Sequence, residues 1–352
     1  MTGTTIVPSA TRGRFTLRKI VGAATFVYAA VVLIYLLLRV LGALGLPVLD
    51  TDGGLFGSLV GVGSSLMPAL LIPALPLMLL AAVWRLPKIA LALAPAVAAF
   101  ALLYGPMLLP KPAQAAPETP PLTVYTHNLH VMTDELAGIE AEIRASGADV
   151  VALQELTEPA AEFLAAALHD LYPYTALNPV GVTTHGAGIL SKWPLRETET
   201  WITSMAQMRT TVDWPGGTFA FYNLHPPPPR WFLQPFDATD RAVALNEALR
   251  RASEETLPVM LAGDFNLTDQ TADYQQITGA GYQDAYREAG WGLGLTFADF
   301  GGLFKLLSLA PPFIRIDYVF GGPEFTPLAA SVGAAAGSDH YAVRAEWGLK
   351  PW

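Results

Sequence analysis

Residues 258–266 read Pro-Val-Met-Leu-Ala-Gly-Asp-Phe-Asn. Pro258–Ala262 is a short apolar run of the kind that forms a buried strand. It stops at Gly263, and an acid (Asp264) and an amide (Asn266) follow at once. A buried strand that ends in such groups sets them on the rim of a sheet, where layered α/β folds gather their chemistry. The same pattern recurs along the chain. Tyr125-Thr126-His127-Asn128, Leu153-Gln154-Glu155 and Asn223-Leu224-His225 each close an apolar run. Arg315-Ile316-Asp317-Tyr318 interrupts another, and Gly337-Ser338-Asp339-His340 precedes the last.

The runs predict strands over Leu122–Tyr125, Val150–Leu153, Gly186–Leu190, Met208–Trp214, Thr218–Leu224, Pro258–Ala262, Ile314–Phe320 and Tyr341–Trp347. Pro215-Gly216-Gly217 turns one strand into the next. Thr133 is placed to cap a helix whose first turn carries Asp134 and Glu135, and Asp237–Glu255 is a charged amphipathic helix. Helices alternate with strands in places and hairpins occur in others. That mixture predicts two mixed sheets packed face to face with helices outside.

The residue types at the strand ends form a chemical set. Glu155, Asp264, Asp339 and the amide oxygen of Asn128 are hard oxygen ligands, suited to Mg²⁺ or Mn²⁺. His225 and His340 can donate to an anion or move a proton near neutral pH. Asp317 can fix the tautomer of a histidine. A hard cation, two imidazoles and an orienting carboxylate suit phosphate-ester hydrolysis.

These six motifs, in this order over residues 121–348, resemble the endonuclease/exonuclease/phosphatase superfamily, which includes AP endonucleases, pancreatic-type deoxyribonucleases, sphingomyelinases and inositol-phosphate 5-phosphatases. Residues 186–194 (Gly-Ala-Gly-Ile-Leu-Ser-Lys-Trp-Pro) also look like its central strand. The resemblance implies an α/β fold, a four-layer α/β sandwich, and metal-dependent hydrolysis of a P–O bond. It implies that Glu155 is the principal metal ligand, with Asn128 and Asp339 beside it. It implies that Asp264 aligns or deprotonates water and that Asn266 holds phosphate or water. His340, oriented by Asp317, would bind the scissile phosphate, and His225 would stabilise the phosphoryl group or protonate the leaving oxygen.

Around this set stand weaker candidates. After His225 come four prolines (Pro226–Pro229) and then Arg230, Trp231 and Phe232. The prolines favour a stiff extended segment, which would project Trp231 and Phe232 beside the site as substrate contacts; a packed surface loop is the plainer alternative. Arg209 could meet a substrate phosphate or pair with a carboxylate. His127 and His130 flank Asn128, with packing under the sheet the simpler role. His169 is read as a solvated helix residue and His185 as a residue that could line the cleft.

The rest of the chain differs in kind. Of 352 residues, 52% are hydrophobic and only 14% charged, well below the roughly 25% charged of soluble domains. Three uncharged stretches, Ile20–Leu38, Leu55–Trp84 and Ile89–Leu109, are long enough to cross hydrocarbon, which takes roughly 20 apolar residues. Pro68, Pro73 and Pro76 predict a kinked second span, and Pro95 and Pro106 mark the third. A lone signal peptide would account for the first stretch but not the others. Arg12, Arg14, Arg18 and Lys19 precede the first span, and Arg85 and Lys88 lie between the second and third. Basic flanks stay inside, so the N-terminus is expected in the cytoplasm and everything after Leu109 outside. The expected layout is a basic N-terminus (1–19), about three transmembrane helices (20–110), a Pro-rich linker (111–121) and a catalytic domain (122–352) in an integral plasma-membrane protein.

Charge narrows the substrate. Residues 1–119 carry +5 and residues 120–352 carry −14. Duplex binding relies on many Lys and Arg contacts, so this balance argues against extended nucleic-acid binding. The absence of Cys excludes thiolate chemistry. Residues 300–313 (Phe-Gly-Gly-Leu-Phe-Lys-Leu-Leu-Ser-Leu-Ala-Pro-Pro-Phe) hold one charge and predict a lipid-facing patch or a cover for a sheet edge. The expected activity is a membrane-anchored hydrolase of a lipid or envelope phosphate, with the bilayer and a lipid-linked phosphorylated substrate as partners. The alternatives are an extracellular nuclease and a non-catalytic phosphate-binding or lipid-remodelling module.

Overall fold

A computed structural model describes residues 10–44, 55–111, 120–230, 234–298 and 311–350. The chain falls into two compact units. One comprises Met1–Gly63 and Met67–Pro106; the other comprises Ser64–Leu66 and Met107–Trp352.

The first unit is helical: α1 (Ala10–Ala43), α2 (Leu55–Ser65), α3 (Met67–Leu71), α4 (Ala74–Val83) and α5 (Pro87–Tyr104). Leu17–Ala43 and Pro87–Leu108 are each long and apolar enough to cross a membrane. Ala29 and Val32 of α1 are buried, while Val27, Val31 and Leu37 are exposed, as on a helix whose other face meets lipid. Gly63 lets the chain pass Tyr35 closely, since a Cβ there would lie 2.2 Å from the Tyr35 ring. The second apolar stretch is bent at the first of its prolines. Its helices Gly57–Ser65 and Met67–Val83 meet at 89°. Pro68 supplies the cause: it has no N–H to donate, and its ring clashes with the carbonyl four residues back, at Ser64.

The second unit holds two six-stranded sheets. Its strands are β1 (Leu122–Asn128), β2 (Val150–Gln154), β3 (Tyr174–Asn178), β4 (Ala187–Ser191), β5 (Leu195–Thr203), β6 (Met205–Trp214), β7 (Gly217–Leu224), β8 (Val259–Asp264), β9 (Gln283–Asp284), β10 (Asp317–Gly321), β11 (Phe325–Val332) and β12 (Val343–Leu349). One sheet runs β11-β12-β1-β2-β4-β3, the other β5-β6-β7-β8-β10-β9. The helices are α6 (Leu136–Ser146), α7 (Glu158–Ala167), α8 (Thr239–Ser253), α9 (Ala272–Gly279) and α10 (Ala285–Ala289).

Alternation along the strands builds the layers. Leu122, Val124, Val150 and Ala152 of the first sheet meet Phe219, Phe221, Met260 and Ala262 of the second in a central core. The intervening side chains face outward. Tyr125, Val151 and Leu153 pack under Ile139, Ile143 and Leu164 of α6 and α7. Tyr222 and Leu261 pack under Leu245, Ala248 and Ile277 of α8 and α9. Helices, sheet, sheet, helices make the four-layer α/β sandwich. Each central contact removes apolar area at about 25 cal/mol per Å², which is why both sheets need two apolar faces.

The capping expectation at Thr133 does not hold. Helix α6 starts later, with Glu135 at its N-cap position and no side-chain cap. Thr133 Oγ1 instead accepts the N–H of Glu135 in a local turn. His169 lies in the turn after α7 and is exposed. Trp231, Phe232, most of the linker and residues 300–310 fall outside the described residues.

Candidate active site

Topology brings the polar strand ends together. β1 runs parallel to β2, pairing Asn128 with Gln154, and β7 runs parallel to β8, pairing Leu224 with Gly263. These four strands therefore end on the same rim. β10 is antiparallel to β8 and starts beside its end, with Asp317 opposite Asp264. β12 is antiparallel to β1, so the loop that carries His340 arrives beside Asn128. Gly263 allows β8 to lie close against the end of β7: its φ is 148° and a Cβ would lie 1.8 Å from the carbonyl oxygen of Leu224.

Asp264 is the centre of the cluster. Its Oδ2 accepts from Asn128 Nδ2 at 3.0 Å and from Asn266 Nδ2 at 3.2 Å, with His225 Nε2 at 3.4 Å and His340 Nε2 at 3.7 Å. Its Oδ1 accepts the backbone N–H of Asn266 at 2.9 Å. Asn128 also donates to Glu155 Oε1 at 3.2 Å, and Val131 N–H donates to Glu155 Oε2 at 2.8 Å. Glu155 and Asn266 both adopt left-handed backbone, with φ of 56° and 51°. Non-glycine residues rarely do so, and such strain clusters where a side chain must be aimed.

Asp317 grips His340. Its carboxylate oxygens lie 3.0 and 3.1 Å from Nδ1. Burial opposes the charged imidazole, but the Asp317 and Asp264 carboxylates outweigh it and push His340 up to about 10. Burial pushes Asp317 up to about 6 against the pull of His340. Asp264 moves the other way. Burial disfavours its charge, yet His340, His225 and the Asn266 N–H hold it below the usual carboxylate range. At neutral pH the site therefore carries a carboxylate base beside an imidazolium.

Asp264, Asp317 and His340 offer ligand atoms within 4.8 Å of one another. With Nδ1 of His340 committed to Asp317, Nε2 is the ring nitrogen left to meet a ligand. The oxygen-rich side of the site fits a hard cation. Glu155 is half-buried, and Ser338 joins the two loops by donating to the Asn128 carbonyl at 2.7 Å, next to Asp339. Asn128 presents its amide N–H₂ to Glu155 and Asp264, and its Oδ1, which accepts the His130 N–H, keeps a second lone pair that a cation could use. Glu155, Asp339 and Asn128 are thus the residues that would hold a divalent ion.

Supporting contacts escaped the sequence reading. Arg241, buried on α8, donates to the Asn266 carbonyl at 2.6 Å and is held by Asp273 at 2.7 Å. Gln154 donates to Asn223 at 2.7 Å, tying the two sheets together beneath the site. Thr296 Oγ1 accepts the N–H groups of Ile316 and Asp317, and the Phe297 ring lies 4.8 Å from the His340 ring. His127 is fully buried, within 3.2 Å of the His340 carbonyl, and burial pushes it down to about 4, so it is a neutral packing group. His130 is half-buried, its N–H donating to Asn128 Oδ1, and His185 is exposed. Arg209, a candidate substrate contact, is instead locked to Glu255 by two 2.8 Å hydrogen bonds on β6. Tyr222 donates to the same carboxylate, so the guanidinium is committed to packing one sheet.

Comparison with known proteins agrees with this geometry. Residues 125–340 match the Endonuclease/Exonuclease/phosphatase family. No curated protein matches the chain. Among solved structures, the endonuclease/exonuclease/phosphatase from Beutenbergia cavernae is 22% identical (TM-score 0.51, covering 66% of this chain and 72% of that one). A Bacteroides thetaiotaomicron protein of the same family is 18% identical (TM-score 0.52, 68% and 100%). A humanized D. rerio TDP2 is 20% identical (TM-score 0.53, 65% and 99%). The matched segment runs from within β1 to His340, stopping short of β12, and takes in all eight polar residues of the rim, and the chain belongs to the endonuclease/exonuclease/phosphatase family.

Proposed function

We propose that the chain is a membrane-anchored, divalent-metal-dependent phosphoric-ester hydrolase whose substrate is a lipid or envelope phosphate on the outer side of the membrane. The observation that carries the reaction class is the crowding of Asn128, His225, Asn266 and His340 around one buried carboxylate oxygen of Asp264.

The roles follow from charge. Ionised Asp264 aligns the attacking water and takes its proton. His340, charged through neutral pH, receives a phosphoryl oxygen, and Asp317 keeps it charged and oriented. Asn266 Nδ2 is a second donor at the same place. His225 protonates the leaving oxygen. A Mg²⁺ or Mn²⁺ ion held by Glu155, Asn128 and Asp339 would neutralise the remaining phosphoryl charge.

Two features support the lipid reading. Two helices of the first unit are long and apolar enough to span a bilayer, and anchoring raises the effective concentration of any substrate in that bilayer. Met132 and Val182, 70% and 72% exposed, sit on the loops that follow β1 and precede β4, on the rim that carries Glu155. Apolar side chains free on that rim suit an acyl or prenyl chain. The −14 of residues 120–352 opposes a long polyanion. The basic residues Arg85 and Lys88 between α4 and α5 support a catalytic unit outside the cell.

The test is an assay of the full chain in nanodiscs with Mg²⁺ against plasmid DNA, a phospholipid and a polyprenyl pyrophosphate. Turnover of a lipid phosphate with slow DNA cleavage is the expected result. Rapid DNA cleavage without lipid turnover would establish the nuclease instead. No turnover, with no metal bound, would leave a phosphate-binding accessory module.

A further inference from the structure

The two catalytic imidazoles are held in different ways. His340 has its ring fixed directly, by Asp317 at Nδ1. His225 has no such partner: Nε2 faces Asp264 at 3.4 Å, and Nδ1 is buried without a hydrogen bond. A ring held at one nitrogen takes its position from its backbone. The backbone after it offers no ladder, because Pro226–Pro229 have no N–H to give; its anchor is the Pro226 carbonyl, which accepts from Asn266 Nδ2 at 3.0 Å.

We propose that Gln207 is the positioning residue of His225, acting through the backbone where the sheet stops. β6 and β7 pair from Trp214↔Gly217 up to Met208↔Asn223, and there the ladder between them ends. One residue further along β6, the fully buried side chain of Gln207 takes over. Its Oε1 accepts the N–H of His225 at 2.8 Å, and its Nε2 donates to the carbonyl of His225 at 2.8 Å. The primary amide thus supplies the donor and acceptor that a neighbouring strand would supply. The pair fixes the Cα of His225 and hence the distance from Nε2 to Asp264. A misplacement of about 1 Å in such a group costs about a hundredfold in rate. The hydrogen bonds of the Gln207 side chain go to the backbone of His225 and Met205.

This inference rests on the reading of His225 as the acid for the leaving oxygen, and the experiment separates the two. The full chain in micelles is assayed with Mg²⁺ and bis(p-nitrophenyl) phosphate. Gln207→Leu removes both bonds at similar volume and should lower kcat about 10- to 100-fold with KM changed less than about twofold. Gln207→Glu keeps the acceptor and, when protonated, the donor, so its kcat should recover toward the parent at acid pH. In a His225→Ala background, Gln207→Leu should cost nothing further. An equal loss in both backgrounds would show a general packing role and overturn the proposal, as would full kcat in the single variant. The second readout does not depend on activity. In a ¹⁵N-histidine-labelled chain, Gln207→Leu should move the ring resonances of His225 and leave those of His340 in place. If the Leu variant does not fold, the Glu variant carries both measurements. If His225→Ala keeps full activity, the proposed acid is wrong, and the resonance shift alone decides whether Gln207 positions the ring; an unmoved His225 signal refutes it.

Discussion

Replacing Asp317 by Asn tests the charge logic of the site. The carboxylate lies 3.0 Å from Nδ1 of His340, whereas Asp264 lies 3.7 Å from Nε2. Together they hold His340 at about 10 against a burial that opposes its charge. An opposite charge at this range moves a pKa by about 1–3 pH units, and one unit corresponds to about 1.4 kcal/mol. Removing the nearer carboxylate weakens the charged form, so the His340 pKa must fall. The alkaline limb of kcat/KM should therefore move from about pH 10 in the parent to about pH 7–9 in Asp317→Asn. The loss should be about 10- to 100-fold greater at pH 9 than at pH 6, because only at the higher pH does the variant hold a neutral imidazole. The assay is a pH–rate profile at fixed ionic strength and saturating Mg²⁺, with bis(p-nitrophenyl) phosphate. An alkaline limb at the parent's pH would refute the reasoning, since Asp317 would then not be what keeps His340 charged. A uniform loss at every pH would assign Asp317 to orientation alone.

Asp264→Asn removes the central base while keeping the shape of the side chain; kcat should fall by at least about a hundredfold, and activity within about tenfold of the parent would displace Asp264 from that role. Glu155→Gln should raise the Mg²⁺ concentration for half-maximal activity by about tenfold or more, as isothermal titration with Mg²⁺ can check independently of turnover. Arg209→Leu should act on stability: its partner Glu255 is only 14% exposed and would keep the Tyr222 hydroxyl but lose its cation, at a cost of about 2–3 kcal/mol and about 5–10 °C in Tm. A large fall in kcat/KM without a fall in Tm would return Arg209 to the substrate. Met132→Ser with Val182→Ser should spare hydrolysis of a soluble diester and lower that of a vesicle-bound phospholipid by about threefold or more, the scale of removing two buried apolar groups; equal effects on both would remove the lipid contact.

What the sequence disclosed and what it hid have one physical explanation. Asp264, Asp317 and His340 were visible because each breaks an apolar run, and a polar group at the end of a buried strand has few places to go but the rim. The sandwich followed from the same runs, since β1, β2 and β8 are buried on both faces and carry no polar alternation. Strand β5 gave no such sign: Arg196, Glu197, Thr198, Glu199 and Thr200 are exposed, so it reads as a loop until β6 pairs with it. Arg209 stays undecided in the sequence between phosphate and carboxylate, because a lone arginine looks alike whether it faces solvent, phosphate or Glu255, 46 residues away. Gln207 lies inside Met205-Ala206-Gln207-Met208, where a polar residue in an apolar strand is a signal without a direction. Its meaning comes only from the register that sets it beside His225, 18 residues later. The reacting groups of this site are thus written locally, as interruptions of strands. The groups that hold them, Gln207, Arg241, Thr296 and Asn223, are written in the pairing of strands and the packing of layers. Substitutions in the second set should therefore change rate through geometry and leave the chemical pKa pattern of the first set in place, which is the distinction that the Gln207 and Asp317 variants draw between them.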